Sequence, residues 1–156
     1  MKSASAKPAS ILGRVRISYP RMLRILVPLD FSGKSRQALR YAIPIAQKFS
    51  ARIFLVHVLP SPGNASKDEQ LRQRQAALKR LGETGHQLLP PRVQAESAVL
   101  TGNPADEILA LAGKNSIDLI VLTTKGRSGL KRALVGSTAE QIMRHASCPV
   151  MSVRRR

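Results

Sequence analysis

The chain has few of the residues that most often carry chemistry or crosslinks. It contains no tryptophan, three histidines, one cysteine and nine acidic residues among 156 positions. A single cysteine excludes an internal disulfide and a cysteine-based zinc site. Because only 3% of the residues are aromatic and 43% are hydrophobic, the core has to be built from Leu, Ile, Val and Ala. The length is typical of one domain that buries a sizeable core.

Long apolar runs are also missing. None approaches the roughly 20 residues that span a bilayer, and residues 1–22, rich in Ser, Lys and Arg, lack the continuous apolar segment of a secretory signal. We therefore expect 1–22 to be a flexible basic arm and 23–156 to be one domain. We also expect the protein to be cytoplasmic and to have no membrane span.

What the chain has in excess is positive charge. Lys and Arg number 26 against nine Asp and Glu, which gives a net charge of +17, and the terminal segments, including 154–156, carry part of it. Such a charge attracts nucleotides, nucleic acid and anionic membranes without specifying any of them. Binding of nucleic acid, if it occurs, is therefore expected to be non-specific.

Helical and strand patterns alternate along the chain. Apolar, β-branched runs predict strands at 24–30, 51–58, 117–124 and 149–153, and a less apolar run at about 92–100 predicts a strand near a sheet edge. A helix is predicted from Ser32 or Ser35 onwards, with an interruption and a kink at Pro44. Further helices are predicted over 67–87 with an end near Gly82 or Gly85, from Asn103 to about Lys114, and over Ser137–His145.

This alternation predicts a Rossmann-like α/β fold. We expect an open, mostly parallel five-stranded sheet in the order 3-2-1-4-5, with helices on both faces. In such sheets ligands bind beyond the carboxyl ends of the strands, at the point where the strand order switches. Asp30, after the first strand, and the stretch 123–138, after the fourth, both fall at that edge.

The stretch 123–138 has the features of an anion site. Gly126 allows a sharp turn after the strand, and Gly136 precedes Ser137 and Thr138 at the start of a helix, whose free N–H groups favour negative charge. An ordinary loop followed by a serine-capped helix explains the same residues about equally well. His57 is interpreted as an ordinary strand residue.

Five segments resemble the universal stress protein family, and together they extend over about 23–154. They are ILVPLDFS (25–32), IFLVHV (53–58), GNPADEI (102–108), IDLIVLTTKG (117–126) and GSTAEQIMRHASCPVMSV (136–153). ATP-binding members carry a glycine, two residues, a glycine, nine residues, a glycine, and then Ser or Thr. Gly126, Gly136 and Ser137 match this pattern. Thr123 replaces its first glycine, and Lys125 stands where many members have histidine.

The resemblance implies ATP as the ligand. It puts Pro28 and Asp30 at the nucleotide, with Asp30 near the ribose, and it puts the backbone of Val58 at the adenine. Around the phosphates it implies Gly126, Gly136, Ser137 and Thr138. The hydroxyl of Thr123 can also donate to a phosphate, and Lys125 adds a cation nearby. Asp30 beside the phosphates could also hold Mg²⁺, which takes one or two carboxylates together with phosphate oxygens.

The leading hypothesis is a universal stress protein that binds ATP, acts as a stress-response or regulatory module, and forms a homodimer through its C-terminal strand. We do not expect a dedicated enzyme, since no Ser-His-Asp arrangement is readable, although slow hydrolysis of bound ATP is compatible with the same residues. Two alternatives stay open. One is a dimeric interaction module without ATP, which Thr123 favours, and the other is a polyanion-binding protein that uses its basic tails.

Overall fold

In the part of the chain that the structure describes, five strands form one parallel sheet. The computed structural model of the chain describes residues 23–124 and 136–154. The strands are β1 (Arg24–Pro28), β2 (Arg52–Leu59), β3 (Ala95–Thr101), β4 (Leu119–Thr123) and β5 (Val150–Val153). Their order is β3-β2-β1-β4-β5, and every pairing is parallel. The predicted order is confirmed, and the sheet is parallel throughout rather than only mostly so.

Four helices are described between these strands. They are α1 (Gly33–Phe49), α2 (Lys67–Leu88), α3 (Pro104–Lys114) and α4 (Ser137–His145). The side chain of Ser32 caps α1 by accepting from the Ser35 N–H, and that of Asn103 caps α3 by accepting from two N–H groups of its first turn. Within the described residues no helix is both long and apolar enough to cross a membrane.

The predicted interruption of α1 at Pro44 is wrong, since the helix continues from Gly33 through Pro44 to Phe49. A proline in a helix removes one N–H, which leaves the carbonyl four residues earlier without its partner. That carbonyl belongs to Arg40. Both Arg40 and Pro44 are exposed, so water can hydrate the carbonyl and the helix tolerates the loss.

The end of α2 was also predicted too early. The helix passes Gly82 and Gly85 and ends at Leu88. Gly85 is buried, and a Cβ atom there would lie 3.3 Å from the Leu55 Cδ1 atom of β2. This glycine therefore lets the helix approach the sheet closely instead of terminating the helix.

The core lies on both faces of the sheet. Alternate residues of each strand point to opposite faces, so Ile25 and Val27 pack with α1 and α2 while Leu26 packs with α3 and α4. The interior strand β4 is divided in the same way and is buried on both sides. Because the crossovers lie on opposite faces, a crevice is left between β1 and β4 at their carboxyl ends.

Candidate functional site

A cavity of about 330 Å³ lies at the carboxyl ends of β1, β2 and β4. This volume is at the lower end of the range for small-molecule sites, roughly 300–1,000 Å³. Its apolar wall comes from the α3 and α4 face of the core and includes Val56, Ile108, Leu122 and Ile142. The cavity occupies the switch point between β1 and β4, where ligands of such sheets bind.

Most of the residues predicted for the site meet in this cavity. The described ones that line it are Pro28, Asp30, Val58, Thr123, Gly136, Ser137 and Thr138. Lys125 and Gly126 lie outside the described residues. The sequence interpretation missed the apolar wall, since residues such as Ile108 and Ile142 carry the ordinary core periodicity of their helices. Only their place beside the crevice distinguishes them.

The N-terminus of α4 opens onto the cavity. Its N-cap is Gly136, which has no side chain to accept from the first-turn N–H groups, whereas Ser32, Ser66 and Asn103 cap the other three helices with their side chains. Ser137 and Thr138 begin the helix and line the cavity. The end of a helix with unpaired N–H groups and a positive dipole favours an anion.

Backbone pairing between β1 and β2 stops at the cavity. The last bond runs from the Leu29 N–H to the Val56 carbonyl, at 2.7 Å. The next bond of a parallel ladder would join the Val58 N–H to the Leu29 carbonyl, and none forms there within the described part of the chain. Val58 thus brings a main-chain donor and a main-chain acceptor to the cavity wall.

Asp30 lies in the turn between β1 and α1. Its Oδ1 atom accepts from the Ser32 N–H at 2.9 Å, and the residue is partly buried at the cavity. In the described ranges, 23–124 and 136–154, no cluster of three or more His, Cys, Asp or Glu side chains could hold a metal ion. A cation here would need its remaining ligands from a bound molecule and water, as Mg²⁺ bound to phosphates does.

His57 lies beside the same turn, which the sequence interpretation did not anticipate. Its Nδ1 atom is 2.6 Å from the Leu29 carbonyl oxygen, and its ring centroid is 4.3 Å from that of Phe31. The guanidinium carbon of Arg80, from α2, lies 4.4 Å from the centroid of the Phe31 ring. Since Leu29 and His57 are 28 positions apart, nothing local in the sequence indicates this contact.

The environment of Cys148 makes its thiol unreactive. Burial raises the pKa of its thiol above the ordinary value, and the nearby carboxylate of Asp118 raises the pKa further. A raised pKa keeps the thiol neutral at physiological pH, and the neutral thiol is a weak nucleophile. Asp118 itself accepts from the N–H groups of Leu23 and Arg24, at 2.8 and 2.9 Å, and so holds the start of β1.

Comparison with known proteins gives a consistent result. The sequence profile of the universal stress protein family matches residues 22–154. A universal stress protein of Methanocaldococcus jannaschii is 34% identical over 142 residues, which cover 85% of this chain and 82% of that protein.

Two solved structures share the fold. One is a universal stress protein in complex with cAMP, with a TM-score of 0.64 and 22% identity, matched over 86% of this chain and 99% of its own. The other is a universal stress protein from Archaeoglobus fulgidus in complex with dAMP, with a TM-score of 0.59 and 21% identity, matched over 86% of this chain and 100% of its own.

Proposed function

Because this chain belongs to the universal stress protein family, we propose that it binds ATP in the cavity at the switch point of the sheet and acts as a nucleotide-dependent regulatory module in the stress response. The observation that carries the proposal is the composition of the cavity. It combines an apolar wall, the unpaired main chain of Val58 and the uncapped N-terminus of α4.

Each part of the cavity suits one part of a nucleotide. A base can lie on the apolar wall, and the N–H and carbonyl of Val58 supply the donor and acceptor that the edge of an adenine needs. A phosphate group suits the start of α4, where Gly136 leaves room for close approach and Ser137 and Thr138 add hydroxyls. Asp30 suits the ribose hydroxyls or a Mg²⁺ ion bound to the phosphates.

Two related structures carry adenine nucleotides, one cAMP and the other dAMP. The proposal for this chain names ATP because Gly136 and Ser137 fit the family's ATP pattern, with Gly126 as a further match in sequence. We propose binding rather than dedicated catalysis as the function. Occupancy by ATP would then change the contacts that the protein makes with its partners.

A second function, dimeric assembly without ATP, is favoured by one observation. Thr123, the last residue of β4, lines the cavity in the place of the first glycine of the ATP pattern. A side chain there takes room that a glycine leaves to the ligand. The two candidate functions differ in whether ATP binds at all, and a binding measurement on the purified protein separates them.

The decisive experiment combines nucleotide extraction with calorimetry. The freshly purified full chain is denatured and its released nucleotide identified, and ATP with Mg²⁺ is then titrated into the emptied protein. We expect one ATP per chain. Tripolyphosphate, AMP and a repeat in higher salt serve as controls, because attraction to the net charge of +17 weakens with salt and needs no adenine. The absence of bound nucleotide and of any adenine-dependent binding would overturn the proposal.

A further inference from the structure

We propose that His57 is a positioning residue for the nucleotide site, because its ring holds the Leu29 carbonyl and thereby keeps the main chain of Val58 open for the ligand. This role deepens the ATP site proposed above and rests on it. His57 is itself among the residues that line the cavity, and the role proposed for it is to order the turn after β1.

The contact between His57 and Leu29 has a defined direction. The His57 Nδ1 atom lies 2.6 Å from the Leu29 carbonyl oxygen, and a carbonyl oxygen can only accept a hydrogen bond. Nδ1 must therefore carry the proton and donate. This is true of the neutral ring and of the protonated ring alike, so the contact does not depend on the charge of the histidine.

The position of that carbonyl decides whether the ladder continues. Even-numbered residues of β2 direct their main-chain groups towards β1, as the Arg52 N–H bond to the Leu23 carbonyl at 2.8 Å and the Val56 carbonyl bond to Leu29 show. Val58 is the next residue in this series. The Leu29 carbonyl is its natural acceptor, and the bond between them is not formed within the described residues.

The imidazole ring draws the carbonyl away from Val58. Side chains of odd-numbered β2 residues such as Ile53 and Leu55 pack on the α1 and α2 face, so the His57 ring lies on that face too. A carbonyl bonded to this ring points out of the plane of the sheet. The Val58 N–H, which lies in the plane, is left facing the cavity.

The next residues of the turn reinforce the arrangement. Phe31 has a φ of 62°, in the left-handed region that residues other than glycine seldom adopt. The centroid of its ring lies 4.3 Å from that of the His57 ring and 4.4 Å from the guanidinium carbon of Arg80. Asp30 lies between Leu29 and Phe31, so its place at the cavity depends on the same contacts.

Matched substitutions of His57 separate hydrogen bonding from packing. In His57→Asn the amide nitrogen takes nearly the place of Nδ1 and can donate, whereas the side chain of His57→Leu has the same branched shape, carries no charge and cannot form a hydrogen bond. Both variants lose the ring contact with Phe31 equally. Any difference between them therefore reports on the hydrogen bond to Leu29.

The first measurement needs no ligand. Amide hydrogen exchange of the full chain, followed by NMR, should show the Val58 amide exchanging faster than the paired Val56 amide in the parent protein and in His57→Asn. In His57→Leu, where nothing holds the Leu29 carbonyl, the ladder can close, and the Val58 amide should become protected. Protection of Val58 in the parent, or the same exchange in all three proteins, would overturn the proposal.

The second measurement is ATP affinity with Mg²⁺. We expect His57→Asn to bind within about twofold of the parent and His57→Leu to bind about tenfold more weakly, since the hydrogen bond that positions the Leu29 carbonyl is lost. Equal affinities of the two variants would refute the positioning role. If the parent binds no ATP, the proposed function fails, and the exchange experiment still decides whether His57 controls Val58.

Discussion

The N–H of Gly136 donates a hydrogen bond of 2.6 Å to the carbonyl of Thr124. This bond joins the end of β4 to the beginning of α4 across the segment 125–135. It brings the positive end of a helix dipole to the strand end that carries Thr123. The hydrogen bond between Gly136 and Thr124 therefore places the end of β4 and the start of α4 side by side in the wall of the cavity.

Gly136→Val should abolish ATP binding and leave the fold intact. Gly136 has φ −74° and ψ 150°, which any residue adopts, and a Cβ there would lie an ordinary 3.4 Å from the Thr124 carbonyl oxygen. The branched side chain would instead take the room where a phosphate approaches α4. We expect the Kd for ATP to rise by at least about tenfold, and the Tm to move by only a few degrees since no core contact is lost.

The matched control for that variant is Gly33→Val. Gly33 is the first residue of α1, one position beyond its N-cap. A Cβ there would meet nothing within 4 Å, and the residue does not line the cavity. Calorimetry and thermal unfolding of both variants provide the comparison. Parent-like affinity in Gly136→Val would mean that the phosphates bind elsewhere.

Thr123→Ser should bind ATP more tightly than the parent. The substitution keeps the hydroxyl and removes a methyl group from a residue that lines the cavity where the family pattern has glycine. Relief of crowding at this position is expected to lower the Kd by roughly threefold. Thr101→Ser, at the end of β3 and away from the cavity, is the control. Weaker binding by Thr123→Ser would show that the methyl group contacts the nucleotide favourably.

A homodimer through β5 should be disrupted by Ser152→Pro. Within the described residues β5 pairs with β4 on one side only, and an unpaired strand edge can pair with a second copy. The Ile120 N–H bonds the Pro149 carbonyl, and Ile120 is in register with Val150. In a parallel ladder this assigns the N–H groups of Met151 and Val153 to β4 and those of Val150 and Ser152 to the outer edge.

Proline at 152 therefore removes a donor from the outer edge alone, where edge strands tolerate proline. Multi-angle light scattering at moderate salt should find the parent dimeric and Ser152→Pro monomeric, with its Tm largely retained. Met151→Pro is the contrasting control, since it breaks the bond to β4 and should lower the Tm strongly. A monomeric parent would exclude this dimer.

Deletion of residues 1–22 should leave stability almost unchanged. Every buried hydrophobic residue among those described lies between Ile25 and Val153, and the Asp118 carboxylate that holds the start of β1 bonds the N–H groups of Leu23 and Arg24, which the deletion retains. We expect the Tm to change by no more than about 2 °C, because the deletion should change the free energy of unfolding only slightly. A larger fall, measured by calorimetry, would show that the arm packs on the domain.

The strands and most helix starts could be predicted from the sequence because they depend on neighbours in the chain. Asn103 and Pro104 mark the start of α3 through hydrogen bonds to the next turn, which are local. Alternating strands and helices restrict the sheet to a parallel arrangement. Asp30 and Gly136 could be assigned to one edge of the sheet because Asp30 follows β1 and Gly136 lies in the connection that follows β4.

Other features were decided only by the tertiary structure. Gly85 was predicted as a helix end, whereas in the structure it lets α2 approach Leu55 of β2 closely. Because Leu55 belongs to another segment, the sequence around Gly85 does not indicate this role. His57 seemed an ordinary strand residue because its partner, the Leu29 carbonyl, is 28 positions away. The composition and periodicity of a segment report the burial and hydrogen bonding of that segment, whereas a contact between segments depends on the register in which the sheet brings them together.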